Sequence, residues 1–464
     1  MKSLLVSVVI PAYNQAEFLA EAIQSVLNQT YQNFEIIVVN DASTDDTDEV
    51  MAKFTDPRLK YIVHERNRRL SAARNTGINA SKGEILFLLD ADDLFHPEKL
   101  QAHVDFLADH PEIGASYNAR FELNHSSNAI REMWRPPLTV TLKDLILAFP
   151  FSPSDTVVRR EWAFKVGLFD PEAGTAEDTD FPCRLALAGC KFAGIDRALN
   201  YRRYHSGRGR RNLPGRIGDV EQVQAAVFAD PRCPQEVRDL GRMAIKHHLM
   251  VVVSLALIQN ETELAHKYAR ELVELDPSVT EGKPCELVDF LLSECIADES
   301  VDHEELLKRV FSQLPDELSY LSSQYEWAVA RGWLWKGIRA VLWGREAGGR
   351  AHFARAVEWK AGLDDALMQL ATYHLLGYEK EFGTDAVMRA LSALSPLINQ
   401  AASRGGDRLE ASYLVNRAFE RYRSGKYDKV PAMVLRACGK DPSYLMNRGV
   451  LSIFLRSMAR TAFG

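Results

Sequence analysis

The chain has 464 residues, 46% of them hydrophobic, and a formal charge of −7 with a pI near 6.0. That length allows more than one buried core, and the acidic balance excludes a general nucleic-acid binder, so any anion site must be local. The cysteines Cys183, Cys190, Cys233, Cys285, Cys295 and Cys438 show neither C-x-x-C spacing nor a paired framework; this fits a reducing compartment and suggests no zinc site.

In chain order, Leu4–Ile10 is apolar and cut off by Pro11-Ala12-Tyr13-Asn14 without a small-residue cleavage site, so it is expected to be a buried strand and not a signal peptide. A helix carrying Phe18, Leu19, Ile23, Val26 and Leu27 follows, then a strand over Phe34–Asn40 and a helix capped near Ser43 or Thr44. Next come a strand at Leu59–His64, a helix near Leu70–Ala80 and a strand at Ile85–Leu89. Repeated βα units predict an α/β domain with a mainly parallel, doubly wound sheet.

After about Arg216 strand signals vanish and helical spacing takes over, in 222–228, 236–258, 261–275, 304–314, 319–342, 351–376 and 385–397. The expected division is an α/β domain over 1–216 and an all-α helical bundle over 217–464, with room for two sub-bundles. Two helices end alike, at Asp276-Pro277 and Asp441-Pro442. Each resembles the end of a tetratricopeptide-type (TPR-like) hairpin, although no regular ~34-residue period joins them. The longest apolar stretch, Leu249–Ile258, is about half of the ~20 residues a spanning helix needs, so a soluble or peripheral protein is expected. Leu445, Val450, Leu451, Ile453, Phe454, Leu455, Met458 and Phe463 share their segment with only Arg448, Arg456 and Arg460 as charges. Packing as a last bundle helix is the favoured reading, and a basic amphipathic helix on an anionic membrane is the alternative.

Asp90-Ala91-Asp92-Asp93 stands directly behind the apolar run Ile85–Leu89. A buried strand ending in carboxylates presents them at the C-terminal edge of an α/β sheet, where such folds bind ligands. Carboxylates so close repel unless a cation lies between them, and oxygen-only ligands favour Mg²⁺ or Mn²⁺. The plainer reading is a cap for the helix opening near Pro97. Glu177, Asp178 and Asp180 open another helix, where acids are favourable with the dipole alone. Six arginines between Arg202 and Arg216, with no acid among them, fit a phosphate site or a solvated basic loop.

Taken in order, Val8–Asn14, Ser25-Val26-Leu27-Asn28-Gln29-Thr30-Tyr31, Phe34–Asp45, Ala73-Arg74-Asn75, Leu88–Asp93 and Glu177-Asp178 strongly resemble the family 2 glycosyltransferases of the GT-A fold, Rossmann-like with a mainly parallel sheet. The likeness covers residues 4 to 210. It implies that Pro11, Ala12, Tyr13 and Asn14 line a nucleotide-sugar donor, with Tyr13 stacking on the base and Asp41 accepting from an N–H such as that of uracil. It further implies that Arg74 pairs with a donor phosphate, that Asp90 reaches the ribose, that Ala91 also lines the donor site, and that Asp92 binds the metal. Asp178 would deprotonate the acceptor, Glu177 would shape the acceptor site, and His205 would add a metal ligand. One departure is the run Arg68-Arg69-Leu70 after Asn67, where family members have a small, glycine-containing turn.

The activity implied is inverting, metal-dependent transfer of a hexose from a nucleotide sugar, a UDP-sugar, to a hydroxyl or other nucleophile, with Mn²⁺ or Mg²⁺ as cofactor. The acceptor is open among a glycan, a lipid-linked molecule and a protein, and the helical half suits a protein partner. The expected location is cytoplasmic, or peripheral at the inner face of a membrane. A nucleotidyltransferase should show a Gly-rich, Lys/Arg-containing signature where Pro11-Ala12-Tyr13-Asn14 stands. A non-catalytic nucleotide-sugar-binding scaffold would have no need of Asp92 and Asp178.

Overall fold

A computed structural model describes residues 4–124, 128–148, 150–204, 213–299 and 301–463, in two compact units, Met1–Val279 and Thr280–Gly464.

In the first unit the strands are β1 (Val6–Ala12), β2 (Phe34–Asn40), β3 (Leu59–Val63), β4 (Ile85–Leu88), β5 (Leu94–Phe95), β6 (Ala115–Asn124), β7 (Ile130–Trp134), β8 (Thr139–Val140), β9 (Thr156–Arg159) and β10 (Phe192–Tyr204). They form one sheet in the order β3-β2-β1-β4-β9-β6-β10-β5, with β7 on β6 and β8 on β10. The β3-β2-β1-β4 half is parallel throughout. The other half is mixed: β9 runs antiparallel to both neighbours while β10 runs parallel to β6. Every residue of β1 and β4 is buried, which explains their nearly unbroken Val, Ile, Leu and Phe. From β1 the chain steps outward on one side to β2 and β3 and on the other to β4, so the carboxyl ends of β1 and β4 flank a topological switch point.

The helices of this unit are α1 (Ala16–Leu27), α2 (Thr47–Met51), α3 (Arg69–Ala80), α4 (Lys99–Asp109), α5 (Leu142–Leu147), α6 (Arg160–Lys165), α7 (Glu177–Leu187), α8 (Leu213–Ala229), α9 (Gln235–Arg238), α10 (Gly241–Gln259) and α11 (Thr262–Leu275). α1 buries Leu19, Ala22, Ile23 and Val26, a helical stripe, in a core shared with β1, β2 and β4. Thr47 donates from both its N–H and its hydroxyl to Asp45, so Asp45 holds the start of α2 in place of the expected Ser43 or Thr44.

A second core joins Leu86, Leu145, Ile146, Phe181 and Leu185 to Val223, Val227, Cys233, Val237 and Ala244. The expected boundary at Arg216 therefore differs from the compact division: α8 to α10 help cover the α/β unit, and a run of helices in sequence does not reveal which core it closes. Gln235–Gln259 has a mean hydropathy of 1.4 and is long and apolar enough to cross a membrane by length and composition. Leu249, Met250, Val252, Val253, Ala256 and Leu257 within it are buried in this unit.

The second unit is helical: α12 (Glu286–Cys295), α13 (His303–Ser312), α14 (Tyr325–Leu342), α15 (Glu346–Glu358), α16 (Asp365–Phe382), α17 (Thr384–Ala401), α18 (Gly405–Arg423), α19 (Val430–Lys440) and α20 (Arg448–Phe463). α14 is buried almost throughout and packs against α13, α15 and α17. The single helix expected over 351–376 is two, because Lys360 turns left-handed (φ 54°) and the Asp364 side chain caps α16 by accepting from Leu367 N–H. The two similar helix ends share a local cause, an Asp-Pro-Ser turn in which Asp276 accepts from Ser278 N–H and Asp441 from Ser443 N–H.

Candidate active site

The loops after β1, β2 and β4 meet over the switch point in a cleft of about 420 Å³. Its walls include Pro11, Ala12, Tyr13, Asp41, Arg69, Asp90, Ala91 and Asp92. Of the residues implied for the donor, Asn14 and Arg74 are not in that lining. Asn14 instead ties two loops together: its N–H donates to Ser43 Oγ (3.0 Å), and its Oδ1 accepts from Thr44 N–H (2.8 Å).

Three residues that are not glycine take the left-handed conformation at this rim, Asn14 (φ 53°), Ala42 (φ 61°) and Arg69 (φ 69°). Side chains there cost conformational energy, and such strain gathers at functional sites. Arg69 answers the departure noted in the sequence. The turn after Asn67 still adopts a glycine-like backbone, and an exposed guanidinium now lines the cleft.

Asp41 is buried at the end of β2. Its Oδ1 contacts His64 Nδ1 (2.6 Å) and accepts from Arg68 N–H (2.8 Å), while His64 Nε2 meets Thr76 Oγ1 (2.9 Å). Both contacts fall on one oxygen, Oδ1. His64 carried no signal in the sequence, since nothing about a lone histidine 23 positions away marks it as a carboxylate's partner.

Arg74 is almost wholly buried. Its Nη1 donates to Glu177 Oε1 (3.0 Å), its Nη2 to Asp90 Oδ1 (2.8 Å), and its guanidinium carbon lies 5.2 Å from the Phe169 ring centroid. The sequence reading gave this arginine to a donor phosphate. Both of its terminal nitrogens are held by carboxylates inside the protein, and it joins the end of β4 to the start of α7. Its neighbour Asn75 fixes the same junction, donating to Phe169 O (2.7 Å) and accepting from Phe169 N–H (2.9 Å). Phe169 stacks on Phe181 of α7 at 4.2 Å between centroids.

At the head of α7, burial pushes the Glu177 carboxyl up to about 7; Arg74 pulls it down, and Asp178 adds repulsion that raises it. Burial also pushes Asp178 up, against the pull of Arg216 and Arg74, with Asp90 raising it further. The neighbouring acid Asp180 is taken up by Arg184, which donates Nη2 at 2.6 Å and also binds the carbonyls of Val166 and Leu168. Asp178 is thus the acid of this turn that makes no hydrogen bond or ion pair among the described residues, and it feels the charges of both Arg74 and Asp90.

Asp90, Asp92 and Asp93 place one oxygen each within 4.8 Å of one another. Asp93 accepts from Ser154 Oγ (2.7 Å) and from Arg203 N–H (3.2 Å), and Ser154 Oγ also accepts from Asp90 N–H (3.1 Å). Behind them Asp155 and Glu122 share Arg120 at 2.7 Å each. The all-oxygen set fits a hard divalent cation such as Mg²⁺ or Mn²⁺. Ser154, Asp155 and Arg120 escaped the sequence reading because no recurrent pattern surrounds them. Of the arginine run, Arg203 is buried in an ion pair with Glu21, and Arg202 lies 3.8 Å from Glu122. Arg216 acts on Asp178. Arg208, Arg210, Arg211 and the implied metal ligand His205 lie outside the described residues.

The family model described as Glycosyl transferase family 2 matches residues 7–165. An uncharacterized glycosyltransferase of Rickettsia conorii is 32% identical over 203 residues, 44% of this chain and 33% of that protein. The Escherichia coli UDP-Glc:alpha-D-GlcNAc-diphosphoundecaprenol beta-1,3-glucosyltransferase WfgD is 35% identical over 107 residues, 23% of this chain and 42% of that protein. The chain therefore spans well under half of these relatives. S. aureus TarS 1–349 in complex with UDP aligns at 18% identity with a TM-score of 0.40, over 71% of this chain and 90% of that one. The family match spans β1 to β9 and so includes β1, β2 and β4, whose ends build the cleft; over those residues the chain is similar to the glycosyl transferase family 2.

Proposed function

We propose that the chain transfers a hexose from a nucleotide sugar, a UDP-sugar, to an acceptor hydroxyl with inversion at the anomeric carbon. The observation that carries this reading is the bridge made by Arg74. It sets Asp90, at the end of the donor cleft, and Glu177, beside the uncommitted Asp178, on two nitrogens of one guanidinium.

In the proposed reaction Tyr13 stacks on the base, Asp41 Oδ2 accepts from its N–H, and Asp90 reaches the ribose. Arg69, the exposed guanidinium in the cleft, pairs with phosphate oxygens in the place first given to Arg74. The acceptor oxygen attacks the anomeric carbon from the face opposite the diphosphate. Asp178 takes the hydroxyl proton as the new C–O bond forms, and the bond to the phosphate oxygen breaks. A raised pKa suits this task, because a base is most effective when its pKa approaches the working pH. Asp92 with Asp90 would hold the divalent cation, which when bound supplies charge that stabilises the departing diphosphate. Single displacement by one base gives inversion. The acceptor is a glycan, a lipid-linked molecule or a protein side chain.

A screen of UDP- and GDP-sugars for donor hydrolysis, with Mn²⁺, Mg²⁺ or chelator and without acceptor, tests this reading. Turnover of a UDP-sugar that requires metal supports it. Binding of nucleotide sugar with no turnover under any condition would leave a non-catalytic scaffold.

A further inference from the structure

Packing within the second unit accounts for only half of α20. The helix rests on α18 and α19 through Val450 and Ile453, which are buried. On another side Leu451, Leu455 and Met458, spaced to form one stripe, are 36%, 63% and 50% exposed. Leu445 and Met446, in the turn that leads into the helix, are 52% and 86% exposed. Large apolar side chains left open in one segment mark an interaction surface more often than scattered ones do.

The charge around this stripe has one sign. From Arg421 onward the chain carries nine lysines and arginines against two acids, Asp428 and Asp441, within a protein whose net charge is −7. Some of these cations are spent: Arg421 pairs with Asp428, Arg436 with Glu410, and Lys440 with Asp407 and Glu410. Arg448 and Arg456 on α20 are exposed and make no ion pair among the described residues. Arg460 lies over the Tyr427 ring, 4.6 Å from its centroid, next to the exposed Lys426 and Lys429. An alkyl stripe with Arg448 at its edge and Arg456 farther round the helix, and with no Asp or Glu from Pro442 to Gly464, complements an interface that is apolar inside and anionic at its edge.

We propose that α20 docks the protein on an anionic lipid surface, with Leu451, Leu455 and Met458 entering the acyl boundary and Arg448 and Arg456 meeting lipid phosphates. The full chain is floated with vesicles of phosphatidylcholine alone and of phosphatidylcholine with one third phosphatidylglycerol, at low and at high salt. The wild type is expected to float only with the anionic vesicles and to be released by salt. L451E/L455E and, separately, R448Q/R456Q should each lower binding by at least about tenfold. Because these positions are exposed, helicity and thermal midpoint should not move. Failure of the wild type to float, or floating by both variants as by the wild type, overturns the proposal. So does a dimer in light scattering that L451E/L455E dissociates, since the stripe would then be a contact between protein chains.

Discussion

Gly77 faces Val9 so closely that a β-carbon at position 77 would lie 2.3 Å from Val9 Cγ1. This seats α3 directly on the central strand, and one turn earlier on the same helix stands Arg74. The absence of one methyl group thus sets how deep the guanidinium sits and lets it reach carboxylates from two different elements.

Removing that guanidinium should be costly. Arg74→Ala leaves Asp90, Glu177 and Asp178 without their shared cation, and breaking a buried ion pair on one side costs about 3–5 kcal/mol. Denaturant unfolding should show that loss. Arg74→Lys keeps the charge without the fork and should fall between Ala and the wild type; unfolding curves for the Ala variant that overlay the wild type would refute the bridging role.

Arg69 offers a separation of strain from charge. Glycine tolerates a φ of 69° without penalty, so Arg69→Gly is expected to stabilise the fold by up to about 1 kcal/mol while weakening nucleotide-sugar binding by roughly tenfold. Calorimetric titration alongside thermal unfolding reads both at once. An unchanged donor affinity would remove Arg69 from the phosphate site.

For the base, Asp178→Asn keeps size and hydrogen bonding but removes the proton acceptor. Turnover should drop roughly 10²–10⁴-fold with donor affinity little altered. A wild-type kcat would move the base elsewhere, although Glu177 and Asp180 are each already held by an arginine.

Asp92→Ala should abolish metal-dependent donor turnover and leave the circular dichroism spectrum intact, because the cleft loses a proposed cation ligand while Asp92 belongs to neither apolar core. Full turnover by this variant in chelator would end the metal assignment.

Glu177 makes stability depend on pH in a predictable direction. Its carboxyl is raised from the ordinary 4.5 to about 7 in the folded protein, so between those values the native state holds the proton more tightly than the unfolded chain. Its contribution is fully present below about 4.5 and is lost as pH rises through about 7. Urea midpoints taken across that window should decline more in the wild type than in Glu177→Gln, and identical slopes would refute the assignment.

How far the sequence speaks differs between the two halves of the sheet. β1, β2 and β4 were legible because a parallel strand covered on both faces must be apolar along its length, and because Asp41 and Asp90 to Asp92 follow β2 and β4 directly. β6, β7 and β10 were not, since they carry Arg120, Glu122, Arg131, Arg202 and Arg203, charges that look like surface until their partners in space are known. The same limit applies to Arg74. The Ala-Arg-Asn motif marked it, but its carboxylates lie 16 and 103 positions along the chain, a separation at which local pattern says nothing about pairing.

Under the proposed function, the cation that Asp90 and Glu177 share makes the donor and acceptor sites exchange free energy. A donor that draws Asp90 toward its ribose loosens one claim on Arg74, which then bears more strongly on Glu177 and Asp178 and shifts their affinity for protons. Thermodynamic reciprocity requires the converse, so donor affinity must change with pH by the same factor that donor binding changes the protonation of the acceptor side. Loading the nucleotide sugar and preparing the base to receive a proton are then parts of a single equilibrium.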